Sequence, residues 1–237
     1  MKYTYAVSLA LLLLLCACLI LPVSADPTDA AGWYAKGQEL TAQNNYTLAL
    51  QAYDQATSLD PSFAEAWNGR ADILNRVHQK TQNPLSTLNL ALAASDKAIA
   101  LNSTSVPFWL NRGQILYNIG YYYKDTAGDE ATASKYFNDQ LSAFGKATAL
   151  EPDNPDAWFN RAYALCGMGR CSEGVEDFKK VQQLDPNYPY LEGNLENAEK
   201  LAAAQTPFYI KYAFGIIVGI IAIIGAIFWY LAVRKKY

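Results

Sequence analysis

Side chains able to carry out chemistry are few, and their spacing favours no reaction. The 237 residues include one histidine, His78, and four cysteines. A single imidazole excludes His-based metal sites and the Ser–His or Cys–His pairs that activate a nucleophile. Cys166 and Cys171 flank Gly167-Met168-Gly169-Arg170, a spacing that is not the C-x-x-C of redox enzymes. No glycine-rich phosphate loop follows a strand pattern, and no strand is expected anywhere. The 22 carboxylates include no pair that position sets apart. Asn45-Tyr46-Thr47 and Asn102-Ser103-Thr104 are N-glycosylation sequons. No catalytic, cofactor-binding or metal-ligating residue is assigned, and the chain is read as a non-enzyme.

The chain ends explain why hydrophobic residues reach 51% while charged ones stay at 17%. Residues 6–21 and 212–233 carry no charge. Between them, residues 26–207 hold fourteen Lys and Arg against all 22 Asp and Glu, a net of −8. An acidic domain cannot neutralise phosphates, so nucleic acid is excluded as a partner. Lys2, the apolar run and Pro22-Val23-Ser24-Ala25 read as a signal peptide over 1–25, with an uncleaved anchor as the alternative. The second run gives a helix of about 33 Å, enough to span the hydrocarbon core. A transmembrane helix is therefore expected over 206–233. Phe208, Tyr209 and Tyr212 border one side of it and Phe228, Trp229 and Tyr230 the other. Arg234-Lys235-Lys236 places the tail 234–237 in the cytoplasm by the positive-inside rule. The expected location is a single-pass cell-membrane protein with residues 26–205 on the extracytoplasmic side. Gly215, Gly219, Ala222 and Ala226 make a small-residue face that permits homodimer pairing of spans.

The middle of the chain repeats. Trp33, Trp67, Trp109 and Trp158 lie 34, 42 and 49 residues apart. A small residue follows each at Gly37, Ala71, Gly113 and Ala162, and then a leucine at Leu40, Leu74, Leu116 and Leu165. Second segments close alike, as in Ala56-Thr57-Ser58-Leu59-Asp60-Pro61 and Ala147-Thr148-Ala149-Leu150-Glu151-Pro152. On these residues the chain resembles the tetratricopeptide repeat (TPR) family. The resemblance implies an all-α, right-handed TPR solenoid of four helix–turn–helix repeats, 30–63, 64–105, 106–154 and 155–188. A cap helix over 190–205 completes the domain 26–205, and its Leu191, Leu195, Ala198 and Leu201 follow a helical stripe. Ser95, where an aromatic is expected, and Gln140, where a small residue is expected, predict looser packing in repeats two and three.

A bare stack lacks a deep catalytic pocket, so a two-carboxylate glycosidase is disfavoured. The resemblance implies a protein or peptide partner held on the concave face. By position the candidates are Tyr34, Gln38, Asn68, Asp72, Asn111, Gln114, Asn118, Phe159, Asn160 and Tyr163. The longer hairpin of repeat three should project, carrying Tyr117, Tyr121, Tyr122, Tyr123 and Tyr136. Those tyrosines either meet a partner or pack on one another. Across the tight turn of repeat four, outside the cell, Cys166 and Cys171 are expected to form a disulfide, with a buried thiol pair as the alternative. An envelope-processing enzyme using the acidic surface and a self-associating envelope component are the competing functions.

Overall fold

A computed structural model describes residues 26–205, residue 217 and residues 219–227. The expected signal 1–25, most of the expected span 206–233 (Gly215 included) and the tail 234–237 lie outside the described residues. Among the described residues no helix is long and apolar enough to cross a membrane. Residues 219–227 are helical, and Ile220, Ile221, Ile223, Ile224 and Ile227 there are exposed.

Helical hairpins fill 26–205. The first pairs α1 (Ala30–Ala42) with α2 (Tyr46–Leu59), and the second α3 (Ala64–Val77) with α4 (Pro84–Leu101). The third pairs α5 (Val106–Tyr121) with α6 (Glu130–Leu150), and the fourth α7 (Pro155–Gly167) with α8 (Cys171–Leu184). A last helix, α9 (Leu191–Gln205), closes on α8. Each helix packs on its hairpin partner and on the next in line, so the stack is all-helical among the described residues.

Local chemistry accounts for the boundaries. Asp29, Asn83, Asp129 and Asn154 each accept a backbone N–H three residues on, at 2.7, 3.0, 3.0 and 3.1 Å. Such caps satisfy one of the amides a helix start leaves free, for about 1 kcal/mol each. Pro84 and Pro155 occupy first helical positions, where no N–H is needed. After α2, α6 and α8 an acidic residue in non-helical conformation precedes Pro61, Pro152 and Pro186, and a helix cannot continue through them.

The inserted residues of the second hairpin form a short 3₁₀ turn, His78–Lys80, before α4 starts. His78 is half-buried there, its Nδ1 2.6 Å from the Asn75 carbonyl. In the third hairpin α5 runs into a π-helical turn, Tyr122–Ala127, that ends at Gly128 with φ 68°. Glycine meets that left-handed conformation without strain, and Asp129 then caps α6.

Close approach within hairpins depends on small residues facing rings. A Cβ on Gly113 would sit 2.3 Å from the Phe144 ring, and one on Gly37 2.7 Å from that of Tyr53. Tyr53 also lies against Gly69 of the next hairpin, so one ring joins two repeats. Trp67, Trp109 and Trp158 donate their indole N–H to the carbonyl six residues earlier, at 3.0, 2.9 and 2.8 Å. Each tryptophan thereby packs into the core and ties down the loop between repeats.

Ser95 is fully buried, and its hydroxyl has no hydrogen-bond partner. Removing an unpaired buried hydroxyl relieves a desolvation cost. Ser95→Ala is expected to stabilise the chain by about 1 kcal/mol, read as a higher unfolding midpoint by tryptophan fluorescence in detergent. A lowered midpoint would count against the buried hydroxyl being unpaired.

Candidate protein-binding groove

A groove of about 470 Å³ opens where the third hairpin, the fourth hairpin and α9 converge. α5 contributes Tyr117 and Tyr121, the π-turn Lys124 and Asp125, and α6 Phe137 and Gln140. Tyr163, Ala164 and Cys166 come from α7, Met168 from its C-terminal cap, and Phe178 from α8. α9 supplies Asn194, Asn197, Ala198 and Leu201. The long third hairpin is what makes the wall: the π-turn carries the chain beyond Tyr121 before it reverses. Gly120 lets α5 lie against Phe137, whose ring a Cβ would meet at 2.6 Å.

The rim is aromatic and exposed. Tyr121 and Tyr163 are 51% and 53% exposed. Hydrogen bonding to Asp125, together with its negative charge, raises the Tyr121 pKa, and burial first, then nearby Tyr163, raises that of Tyr117. These phenols stay neutral donors at physiological pH. Lys124 and Asp125 adjoin in sequence, so the rim carries one charge of each sign.

Cys166 and Cys171, the cysteines among the described residues, are free thiols here, the alternative to the expected disulfide. Cys171, buried at the first position of α8, directs its Sγ to the Cys166 carbonyl at 3.7 Å. Burial, then the hydrogen bond with Cys171, pushes the half-buried Cys166 thiol up to about 12. A raised pKa keeps the Cys166 thiol in the groove wall protonated at neutral pH, which disfavours the nucleophilic thiolate form. Among the described residues no cluster of three or more His, Cys, Asp or Glu is placed to hold a metal ion.

The candidates assigned by position divide. Asn111 Nδ2 donates to the Asn68 carbonyl and Oδ1 at 3.2 and 2.9 Å, and Asn118 Nδ2 to Asn75 Oδ1 at 2.7 Å. Those amides join α3 to α5 rather than awaiting a ligand. Asn160 donates to the Asp156 carbonyl of its own helix. Gln38 bonds the Tyr34 hydroxyl, and Asp72 holds Arg76. Tyr34 packs on Phe63 at 5.0 Å, and Phe159 on Tyr188 and Phe178 at 4.9 and 5.4 Å, so both rings serve the core. Gln114 is exposed. In the third hairpin Tyr123 stacks on Tyr136 at 5.5 Å and Tyr122 meets Tyr123 edge-on, leaving Tyr121 as the outward ring. Asn45 is exposed at the start of α2, while Asn102 Oδ1 accepts from both Thr104 N and Thr104 Oγ1.

Sequence reasoning missed the α9 side of the groove and a recurrent ion pair. Arg70 bonds Asp54 and Arg112 bonds Asp96, at 2.6 and 2.8 Å, both sixteen residues apart and between successive hairpins. That shared spacing was a readable signal. Arg161 has Gly145 sixteen residues back and turns to Asp177 of its own hairpin, at 2.6 and 2.7 Å.

Comparison with known proteins agrees with the architecture. The family described as TPR repeat matches residues 37–76, and one described as tetratricopeptide repeat matches 143–174. An uncharacterized protein of Methanocaldococcus jannaschii, MJ0572, is 43% identical over 63 residues, 24% of this chain and 65% of its own. The DnaJ homolog subfamily C member 7 homolog of Dictyostelium discoideum is 24% identical over 177 residues, 70% of this chain and 30% of its own. The chain spans about a third or less of the length of such curated relatives. Among solved structures, the thermophilic TPR protein TTC0263 of Thermus thermophilus superposes with TM-score 0.56 at 18% identity, covering 71% of this chain and 80% of that one. PilF of Pseudomonas aeruginosa gives 0.52 at 18%, covering 71% and 67%. The fold is that of a TPR solenoid.

Proposed function

We propose that this chain is a membrane-tethered TPR scaffold, displayed on the extracytoplasmic side, that holds another protein in the groove between its third hairpin, fourth hairpin and α9. The observation that carries the reading is the groove itself: about 470 Å³, walled by aromatic rings and rimmed by exposed Tyr121 and Tyr163. Rigid aromatic side chains around a concavity supply the anchors on which protein contacts concentrate. The TPR fold supports a binding role over catalysis, as does the raised pKa of the Cys166 thiol. The tether rests on the uncharged run 212–233 and on Arg234-Lys235-Lys236, and the export on the N-terminal apolar segment.

A photo-crosslinking residue at Tyr163 in the full chain is expected to trap a partner in whole cells, and one at exposed Lys97 on α4 is not. Asn197→Trp, which fills the groove from an exposed position on α9, is expected to suppress the adduct. Equal adducts at both positions, or an adduct indifferent to Asn197→Trp, would overturn the groove assignment. Protease added to intact cells is expected to digest residues 26–205, and their full protection would overturn the topology.

A further inference from the structure

The tryptophan-bearing helices all end at one edge of the stack. Near the end of α3, Arg76 meets Tyr46 at the start of α2, and Asn75 takes the Asn118 amide near the end of α5. The turns of the third and fourth hairpins, with Lys124 and Met168, share a groove with Leu201 near the end of α9. The four hairpin turns and Gln205, the last residue of α9, therefore lie along the same edge. The turns between repeats lie along the opposite one.

The two edges differ in charge. The turns between repeats, 60–63, 102–105, 151–154 and 185–190, hold Asp60, Glu151, Asp153 and Asp185 and no Lys or Arg. The hairpin turns, 43–45, 78–83, 122–129 and 168–170, hold Lys80, Lys124 and Arg170 against Asp125 and Asp129. Both of these acids are engaged within the fold, Asp125 by the Tyr121 hydroxyl and Asp129 by the Thr132 N–H that it caps. Arg170 holds Glu173. Lys80 and Lys124 are exposed, and neither has an ion-pair partner among the described residues. A domain of net −8 thus keeps one edge cationic.

Chain length sets which edge stands nearer a bilayer. Six residues, 206–211, separate Gln205 from the uncharged run 212–233, and six extended residues reach at most about 21 Å. α9 adds 15 residues, about 22 Å of helix, between that point and the acidic edge. On the near edge the π-turn presents half-buried Tyr122 beside Lys124. Tyrosine rings favour the headgroup layer, and lysines are drawn to anionic lipid.

We propose that the hairpin-turn edge lies on the bilayer surface, Lys80 and Lys124 against anionic lipid headgroups and Tyr122 at the interface, with the acidic edge turned away. This inference rests on the membrane tether of the reading above. It sets the groove, and the partner within it, next to the membrane.

The test reconstitutes the full chain in vesicles of equal parts phosphatidylcholine and phosphatidylglycerol. A photo-crosslinking residue replaces exposed Ala127 in the third hairpin turn or exposed Ser103 between repeats, and lipid adducts are counted by mass. Adduct at Ala127 is expected to exceed that at Ser103 at least about tenfold, because the far edge stands more than a screening length from the lipid. Lys80→Gln combined with Lys124→Gln is expected to lower the Ala127 adduct at least about fivefold, the effect of a lysine charge near an anionic surface. Vesicles of phosphatidylcholine alone are expected to reproduce that fall with the parent chain. Equal adducts at the two positions, none at either, or an Ala127 adduct indifferent to lipid charge or to the lysines would each overturn the inference. Flotation with the vesicles after alkaline extraction reads the tether separately. A chain that floats yet gives one of those results keeps its tether and loses only this orientation, whereas a chain that does not float loses both.

Discussion

Replacing Phe144 with alanine is expected to destabilise the chain by about 3–5 kcal/mol, the range for an aromatic ring lost from a packed core. Phe144 is 2% exposed and lies directly on Gly113, which has no side chain to fill the space from that side. The pairing also predicts coupling. Gly113→Ala alone puts a methyl 2.3 Å from the ring and must push α5 from α6, whereas in the Phe144→Ala background the same methyl enters a void. The double variant should therefore lose less than the sum of the two single losses, as contacting residues do. Urea unfolding of the full chain in detergent measures all three. A Phe144→Ala loss below about 1 kcal/mol, or strict additivity, would show that this contact does not hold the third hairpin together.

Asp177→Ala is expected to cost about 2–3 kcal/mol, well above the equivalent change at Asp54 or Asp96. All three aspartates pair with an arginine of the tryptophan-bearing helix, but their surroundings differ. The Asp177 side chain is 7% exposed, whereas those of Asp54 and Asp96 are 47% and 52% exposed. In those two pairs water already solvates the carboxylate, and pairs with an exposed member contribute about 0–1 kcal/mol. Removing one member of a buried pair strands the other, at about 3–5 kcal/mol when burial is complete. Arg161 keeps 27% exposure, which lowers the figure. Its guanidinium also stands 4.5 Å from the Trp158 ring centre and donates to Thr148, so its orientation depends on both hairpins it touches. Should Asp177→Ala and Asp96→Ala shift the urea midpoint equally, burial does not distinguish these pairs.

The repeat architecture was legible because it is written in short-range terms. Tryptophan, a small residue and leucine recur at one spacing, and Pro61, Pro152 and Pro186 stop second helices by backbone geometry alone. The turn of the third hairpin was equally local: Gly128 supplies a left-handed residue and Asp129 a cap. The binding residues were less legible, for a specific reason. Position within a repeat says which face of its own helix a side chain occupies, and nothing about the neighbour standing opposite. Asn111 and Asn118 occupy ligand-facing positions by register, but Asn68 and Asn75 on the adjacent helix capture their amides first.

Sequence by itself determined the helices, their order and their caps, since each follows from interactions within a few residues along the chain. Only the tertiary structure decided which polar groups remain free. It placed α9 against the fourth hairpin, so that Asn197 and Leu201 face Tyr121 and Tyr163 across a groove. The same packing paired Arg161 with Asp177 and sealed the Ser95 hydroxyl away without a partner. Hydrogen-bonding capacity is spent or spared by whichever groups packing brings within about 3 Å. That distance is set across the stack rather than along the chain.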